Sequence, residues 1–247
     1  MWGRWYFFVF SVSPLASSHA KRLPIYAAPP LCAGITYLVL RFFASADVRN
    51  DPVYLLFYLA MGSAWLGAAA TALPLVGLSA RDDVAERGNP AAGTAIAGAM
   101  LGLTLCFVGG NIGNGPGWWV VAFSSGLATG LWAILAATVE QFGRSNETVT
   151  VERSTAAGVR AAGLYVAWGV ILGRSVAGDW HSAGQTVADF ARLGWPCAPM
   201  ALVAIPANRL LDRSTNPGRP RIALTGLLPG IAYLAAAAWH VATIGRW

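Results

Sequence analysis

The sequence predicts an all-α protein, a polytopic transmembrane bundle of seven or eight helices. Of its 247 residues, 56% are hydrophobic and 11% are charged, whereas soluble domains carry ~25% charged residues. The mean hydropathy is correspondingly positive, at +0.53. The apolar residues also gather in runs of about 20 or more, the length that a helix needs to cross the hydrocarbon core. This pattern excludes a globular cytosolic enzyme and a disordered chain.

Seven apolar runs are long enough to cross a bilayer. They cover residues 25–46, 53–80, 91–110, 117–142, 155–178, 190–211 and 222–244. A shorter N-terminal run, Trp5 to Ala16, fits a short eighth span, an interfacial helix or a signal-like segment, and we favour a retained hydrophobic helix. Apolar residues at helical spacing in segment 179–193 predict a short amphipathic helix on the outer surface.

These runs predict three regions along the chain. Residues 1–52 form N-terminal hydrophobic helices, and residues 53–180 form a duplicated four-helix membrane core. Residues 181–247 contain the outer amphipathic segment and two C-terminal spans. The polar connections are too short to bury a core of their own, so we expect no soluble domain.

The lysines and arginines predict the orientation, because basic loops stay on the cytoplasmic side. The predicted cytoplasmic set is Lys21, Arg22, Arg81, Arg87, Arg144, Arg153, Arg209, Arg213, Arg219 and Arg221. The opposite set is Arg4 (if residues 5–20 cross), Arg49, Arg192 and Arg246. The C-terminus then faces outward. The net charge of +6 lies in short loops and forms no patch, which argues against a nucleic-acid partner.

Two stretches repeat at an offset of 65 residues. Asn89-Pro90-Ala91-Ala92-Gly93 is followed by Gly98, and Ser154-Thr155-Ala156-Ala157-Gly158 is followed by Gly163. Each combines a helix cap with small residues that let a neighbouring helix approach closely. Because both copies begin on the same side of the membrane, they predict a parallel duplication of a two-helix unit.

These two copies resemble the bacterial inner-membrane proteins of domain-of-unknown-function family 350. Members of that family consist of two tandem two-helix repeats, each with an Asn-x-Ala-Ala signature at a helix start. The resemblance covers about residues 53–180, and Ser154-Thr155 replaces the Asn-containing cap in the second copy. It implies an inner-membrane location but no activity, since none is established for the family.

Three glycine pairs have the spacing that favours tight helix packing in membranes. They are Gly98 with Gly102, Gly126 with Gly130, and Gly169 with Gly173. The pairs lie in three consecutive spans, which favours contacts within the chain over contacts between chains.

Two polar features are candidate sites. The loop 109–117 contains five glycines together with Asn111 and Asn114, and it reads either as an ion or pore-lining segment or as a compact outer turn. Glu140 and Arg160 both lie near cytoplasmic helix ends and are a candidate buried ion pair, with snorkelling of the two side chains toward the membrane surface as the alternative structural interpretation. A proton or ion path is the functional alternative to a structural pair.

Nothing in the sequence predicts catalysis, a cofactor or a metal site. The three cysteines and three histidines are not clustered, and no hydrolase or zinc motif occurs. We therefore expect a non-catalytic accessory or structural subunit of a membrane complex, or a membrane-integrity component. Its partners would be the lipid bilayer and other membrane subunits or a second copy. The alternative is a channel or carrier for a small solute or ion.

Overall fold

A computed structural model of the chain describes residues 2–11, 19–213 and 222–245. Within these ranges the regular secondary structure is helical, and no β-strand occurs. The helices are α1 Trp2–Ser11, α2 His19–Phe43, α3 Ala46–Asn50, α4 Pro52–Ala72, α5 Pro90–Gly109, α6 Trp118–Gly143, α7 Ser145–Thr150, α8 Thr155–Val176, α9 Ala183–Gly194, α10 Cys197–Arg213 and α11 Leu228–Ile244. Two π-helical segments, Ala80–Glu86 and Ile222–Leu227, precede α5 and α11.

Seven helical stretches of the described chain are long and apolar enough to cross a membrane. They are Leu23–Phe43, Pro52–Val76, Pro90–Gly109, Trp118–Gly143, Thr155–Val176, Ala183–Asp212 and Ile222–Ile244. Each matches one of the seven predicted runs, and the sixth begins earlier because α9 leads almost directly into α10. The predicted fold class, an all-α polytopic membrane bundle, is confirmed.

Four parallel helices, α2, α5, α8 and α11, form a row in which each contacts the next. Their direction follows from the residues that meet. Gly98 of α5 lies against Ala162 of α8 near their starts, and Gly109 lies against Gly173 near their ends. The helices α5 and α8 are the most enclosed of the seven spans, with 78% and 72% of the residues in their apolar stretches buried. The core of the bundle is therefore the contact between these two helices.

The remaining spans run antiparallel to this row and pack over it. Helix α4 contacts α2 and α5, α6 contacts α5 and α8, and α10 contacts α6 and α8. Helices from all three predicted regions thus pack together. The amphipathic helix predicted in segment 179–193 corresponds to α9, which packs against α8 and turns most of its residues to the outside.

The bundle has two different ends. The basic end is where α5 and α8 begin, and it carries Arg81, Arg87, Arg144 and Arg153. The pocket end is where the row finishes. There Ala44, after α2, pairs through its backbone with Gly113, and the N–H of Gly178 donates to the carbonyl of Ile112.

The described part of α1 lies at the basic end. This changes the predicted distribution of basic residues between the two sides, because Arg4 moves to the basic end. Arg4 lines a cavity together with Arg81 and Asp82, whereas the count placed Arg4 on the opposite side if residues 5–20 crossed. Ten residues of helix cover ~15 Å, about half of the hydrocarbon core. Residues 12–18 of the predicted eighth span lie outside the described residues.

Candidate functional site

The centre of the bundle is a glycine-mediated contact between the backbones of α5 and α8. A Cβ atom placed on Gly98 would lie 2.6 Å from the Cβ of Ala162, and one on Gly169 would lie 2.5 Å from the Cα of Gly102. Gly173 faces the backbone of α5 in the same way. Such distances require glycine, because even one methyl group would push the helices apart. The two backbones therefore fill the space between α5 and α8 along the middle of these helices.

Gly126 and Gly130 differ from the other predicted packing pairs. A Cβ atom on Gly130 would have no neighbour within 4 Å, and one on Gly126 would meet only the ring edge of Trp65, at 3.9 Å. Helix α6 turns Ala128 and Trp132 toward the bundle, so its glycines lie on another face. The spacing of two glycines does not show which face of the helix meets a neighbour.

The predicted caps start both central helices. The Asn89 side-chain oxygen accepts hydrogen bonds from the N–H groups of Ala91 and Ala92, at 3.0 and 3.3 Å. Its Nδ2 donates to the carbonyl of Val149 on α7, at 2.8 Å. In the second copy, the Ser154 hydroxyl accepts from the N–H of Ala157. Asn89 is fully buried, and its hydrogen bonds both cap α5 and tie it to α7.

The sequence suggested that Arg160 pairs with Glu140. In the structure Arg160 pairs instead with residues from the C-terminal part of the chain. Its Nε donates to the side-chain oxygen of Asn208 at 2.7 Å, and its Nη2 donates to Asp212 at 2.7 Å. Nη1 donates to the carbonyl of Thr225 at 2.6 Å. Arg160 is 1% exposed, and a buried guanidinium is tolerated only when its N–H groups are paired. This arrangement joins α8 to α10 and to the π-helical start of α11.

A proline lies four residues after Thr225, whose carbonyl binds Arg160. In an α-helix the N–H four residues later would donate to it, but that residue is Pro229, which has no N–H. The π-helical segment Ile222–Leu227 leads directly into this proline. Arg160 therefore binds at a backbone position that the local sequence leaves without its α-helical donor.

Glu140 serves the turn between α6 and α7. Its Oε2 accepts a hydrogen bond from the backbone N–H of Asn146 at 2.7 Å. Asn146 in turn donates to the carbonyl of Val76 and accepts from the Tyr165 hydroxyl. The chain can fold back into the bundle here because Arg144 adopts a left-handed conformation, with φ of 52°.

Sequence reasoning missed the partners of Arg160. Asn208 and Asp212 lie four residues apart, so they share one face of α10. A polar pair at this spacing near the end of an apolar run was the available signal. The apolar run predicts a span over residues 190–211, so it places Asp212 in the following loop.

The polar loop 109–117 is held at the pocket end by hydrogen bonds to the loop after α8. The N–H and the Nδ2 of Asn114 both donate to Oδ1 of Asp179, at 2.7 and 2.9 Å. Trp180 donates its backbone N–H to the carbonyl of Asn114. Nδ2 of Asn111 donates to the carbonyl of Phe107 and so closes the end of α5. Both asparagine side chains thus bind protein groups in a compact turn.

This loop also forms one wall of an open cavity of about 960 Å³ at the pocket end. The cavity is lined by charged side chains of both signs, which include Asp47, Arg174, Asp179, Asp189 and Arg192. Arg174 is mostly buried and donates to the carbonyl of Gly245 at 3.1 Å, and Arg192 pairs with Asp189 at 3.2 Å. The cavity is large enough for a small polar solute, and its mixed charges favour neither cations nor anions.

Within the described residues, no group of three or more His, Cys, Asp or Glu side chains is placed to hold a metal ion. Cys32, Cys106 and Cys197 are all buried as free thiols. No family model, curated protein or solved structure matches the chain.

Proposed function

We propose that this integral membrane protein is a non-catalytic accessory or structural component, acting in a membrane complex or in membrane integrity. The observation that carries the proposal is the backbone contact of Gly102 with Gly169 at the centre of the bundle. A carrier needs a polar space between its repeated units near the midplane. Here that space is occupied by main chain, which supports a scaffolding role over transport between these helices.

The polar side chains buried in the bundle support the same role. Arg160 binds Asn208, Asp212 and the Thr225 carbonyl, and each partner lies on an element that packs against α8. A proton or ion relay needs groups that exchange partners. A guanidinium with three simultaneous hydrogen bonds holds three elements together instead.

A duplication of the two-helix unit and membership of domain-of-unknown-function family 350 remain part of this proposal. A contact between corresponding positions supports the duplication. Asn114 bonds Asp179, 65 residues later, which is the separation of the two capped helix starts, Asn89 and Ser154.

We further propose a bacterial inner-membrane location with the basic end in the cytoplasm. The arginines of the basic end support this orientation, because positive loops are retained on that side. Arg4 adds to them, since it lines the same cavity as Arg81. The pocket end and its cavity would then face outward.

Association with other membrane subunits or with a second copy is tested by purification in mild detergent. The full chain is solubilised from its native membranes, and its mass is measured by light scattering and by native mass spectrometry. We expect a defined assembly that survives dilution. A stable monomer with no stoichiometric partner would contradict the proposal.

The open cavity at the pocket end favours one second candidate, a channel or carrier for a small polar solute. The discriminating experiment measures the flux of potassium, protons and glycerol into liposomes that contain the purified chain. The accessory role predicts rates equal to those of empty liposomes. Flux that Asn114→Ala lowers and Gln185→Ala, outside the cavity lining, leaves unchanged would favour transport through the cavity beside Asp179.

A further inference from the structure

A second cavity lies at the basic end and has no part in the function proposed above. It has a volume of about 720 Å³ and is bounded by α1, α4 and the π-helical segment Ala80–Glu86. Its lining is more apolar than that of the pocket-end cavity, and it includes Trp2, Arg4, Ala70 and Arg81. It opens at the side of the bundle where the membrane-spanning part of α4 ends.

The cavity changes from polar to apolar along α4. Ser79, Arg81 and Asp82 follow the end of the span at Val76, at the level of the lipid headgroups. Gly67 lies seven residues before Pro74, which is ~10 Å deeper along the helix. Gly67 has no side chain and Ala70 has only a methyl group, so the two residues leave a groove at the apolar end of the cavity. A ligand that fits this site is polar at one end and apolar at the other.

The polar end offers two guanidinium groups. Arg4 is exposed and has no hydrogen bond or ion pair with any residue that the structure describes. Arg81 pairs with Glu86 at 3.0 Å and lies 4.0 Å from Asp82, and its side chain is 62% exposed. An ion pair this exposed is weak, because water and salt screen it. Both groups are therefore available for a phosphate, which arginine binds through paired N–H donors.

The wall formed by α1 is fixed in place before any ligand binds. Trp5 donates its indole N–H to the carbonyl of Ile25, and the Tyr6 hydroxyl donates to the carbonyl of Tyr26. Pro29 and Pro30 stand four residues after these carbonyls and leave them without α-helical donors. Trp2 adds a third hydrogen bond, to Ser63 of α4. Fixing a wall in advance lowers the entropic cost of binding.

We propose that this cavity binds an anionic phospholipid, with the phosphate between Arg4 and Arg81 and an acyl chain along Gly67 and Ala70. Basic pockets between membrane helices recognise phosphorylated headgroups in this way. The indoles of Trp2 and Trp5 lie at the border of polar and apolar surroundings, where tryptophan is favoured. The apolar depth of the groove selects a lipid over a free phosphate ion.

Native mass spectrometry of the full chain in detergent tests the proposal. The protein is titrated with phosphatidylglycerol and, separately, with phosphatidylcholine of the same acyl chains. We expect clear preference for phosphatidylglycerol, and a loss of about fivefold in its affinity for each of Arg4→Gln and Arg81→Gln. Arg144→Gln is the matched control, because its side chain is 75% exposed at the same end and does not line the cavity.

A second variant tests the groove without changing charge. Thr71 lines the cavity and is exposed, so Thr71→Phe should fill the groove and leave the fold intact. We expect it to weaken both lipids, while its unfolding temperature stays that of the wild type. Equal binding of the two lipids, or an equal loss in Arg144→Gln, would overturn the proposal. Displacement of the lipid by millimolar inorganic phosphate alone would also overturn it, in favour of a simple anion site.

Discussion

Arg160 donates a hydrogen bond to the carbonyl oxygen of Thr225, a carbonyl that Pro229 leaves without its α-helical donor. The same relation recurs at α2, where Trp5 binds the carbonyl opened by Pro29. In lipid, an unpaired backbone group is costly because no water replaces the missing donor. Prolines in these spans therefore do more than bend helices. Each creates an acceptor that a side chain of another element can bind.

The Arg160 cluster predicts a large cost for removing its carboxylate. Asp212→Asn leaves a guanidinium buried without its counter-charge, and we expect a loss of about 3–5 kcal/mol in stability. The matched control is Asp189→Asn, which breaks an exposed pair with Arg192 and should cost about 0–1 kcal/mol. The measurement is thermal unfolding in mild detergent. Equal shifts for the two variants would show that the Arg160 pair does not hold the helices together.

The backbone contact of α5 and α8 predicts opposite effects for two glycine substitutions. Gly169→Ala places a methyl group against Gly102 and should destabilise the bundle by about 1–3 kcal/mol, a typical cost of overpacking. Gly130→Ala meets open space and should be neutral or stabilise by up to about 1 kcal/mol, since alanine favours helix. Unfolding temperatures of the two variants check this. Similar losses at both positions would contradict the assigned faces.

The proline-opened carbonyls predict coupling between α1 and α2. Tyr6→Phe removes the hydroxyl that donates to Tyr26 and should cost about 0.5–1.5 kcal/mol. Pro30→Ala restores a backbone N–H for the same carbonyl, so Tyr6→Phe should cost much less in that background. A double-mutant cycle on thermal stability measures the difference. Additive effects would mean that Tyr6 and Pro30 act independently.

The two helix caps predict unequal costs. Asn89 is fully buried, caps α5 and also binds the Val149 carbonyl, so Asn89→Ala should cost about 2–3 kcal/mol. Ser154 makes the single longer cap bond to Ala157, and Ser154→Ala should cost about 1 kcal/mol. Chemical unfolding in detergent ranks the two variants. A larger loss at Ser154 would show that the buried contact to α7 contributes nothing.

The proposed orientation predicts which residues a reagent reaches from outside the cell. Cys32, Cys106 and Cys197 are buried. We therefore expect a thiol reagent to label a single added, exposed cysteine and not the native ones. A membrane-impermeant maleimide should label Gln185→Cys, at the pocket end, in intact cells. It should label Glu152→Cys, at the basic end, only after the membrane is opened. The reverse pattern would invert the topology.

Features set by composition and local pattern were predictable from the sequence. Seven spans follow from apolar runs, and the caps at Asn89 and Ser154 follow from residue type beside a helix start. Contacts that depend on the rotation of one helix against another were not. Asp212 meets Arg160 across 52 residues, and nothing local to either residue specifies that register.

Two further differences could not be predicted from the sequence either. Gly126 and Gly130 have the packing spacing, yet α6 turns another face to its neighbours. Glu140 was expected to bind Arg160, but the left-handed turn at Arg144 brings Asn146 to it first. A left-handed arginine has no clear signal in a single sequence, because asparagine or glycine is the usual choice there.

The row of parallel helices has open edges, and this makes the architecture modular. Within the row each member contacts its immediate neighbours, so the interfaces of the row contribute to stability approximately as a sum of nearest-neighbour terms. We therefore expect the margins, α2 and α11, to separate before the α5–α8 centre does. An array without closure can also gain or lose a hairpin at either margin during evolution and still keep its middle.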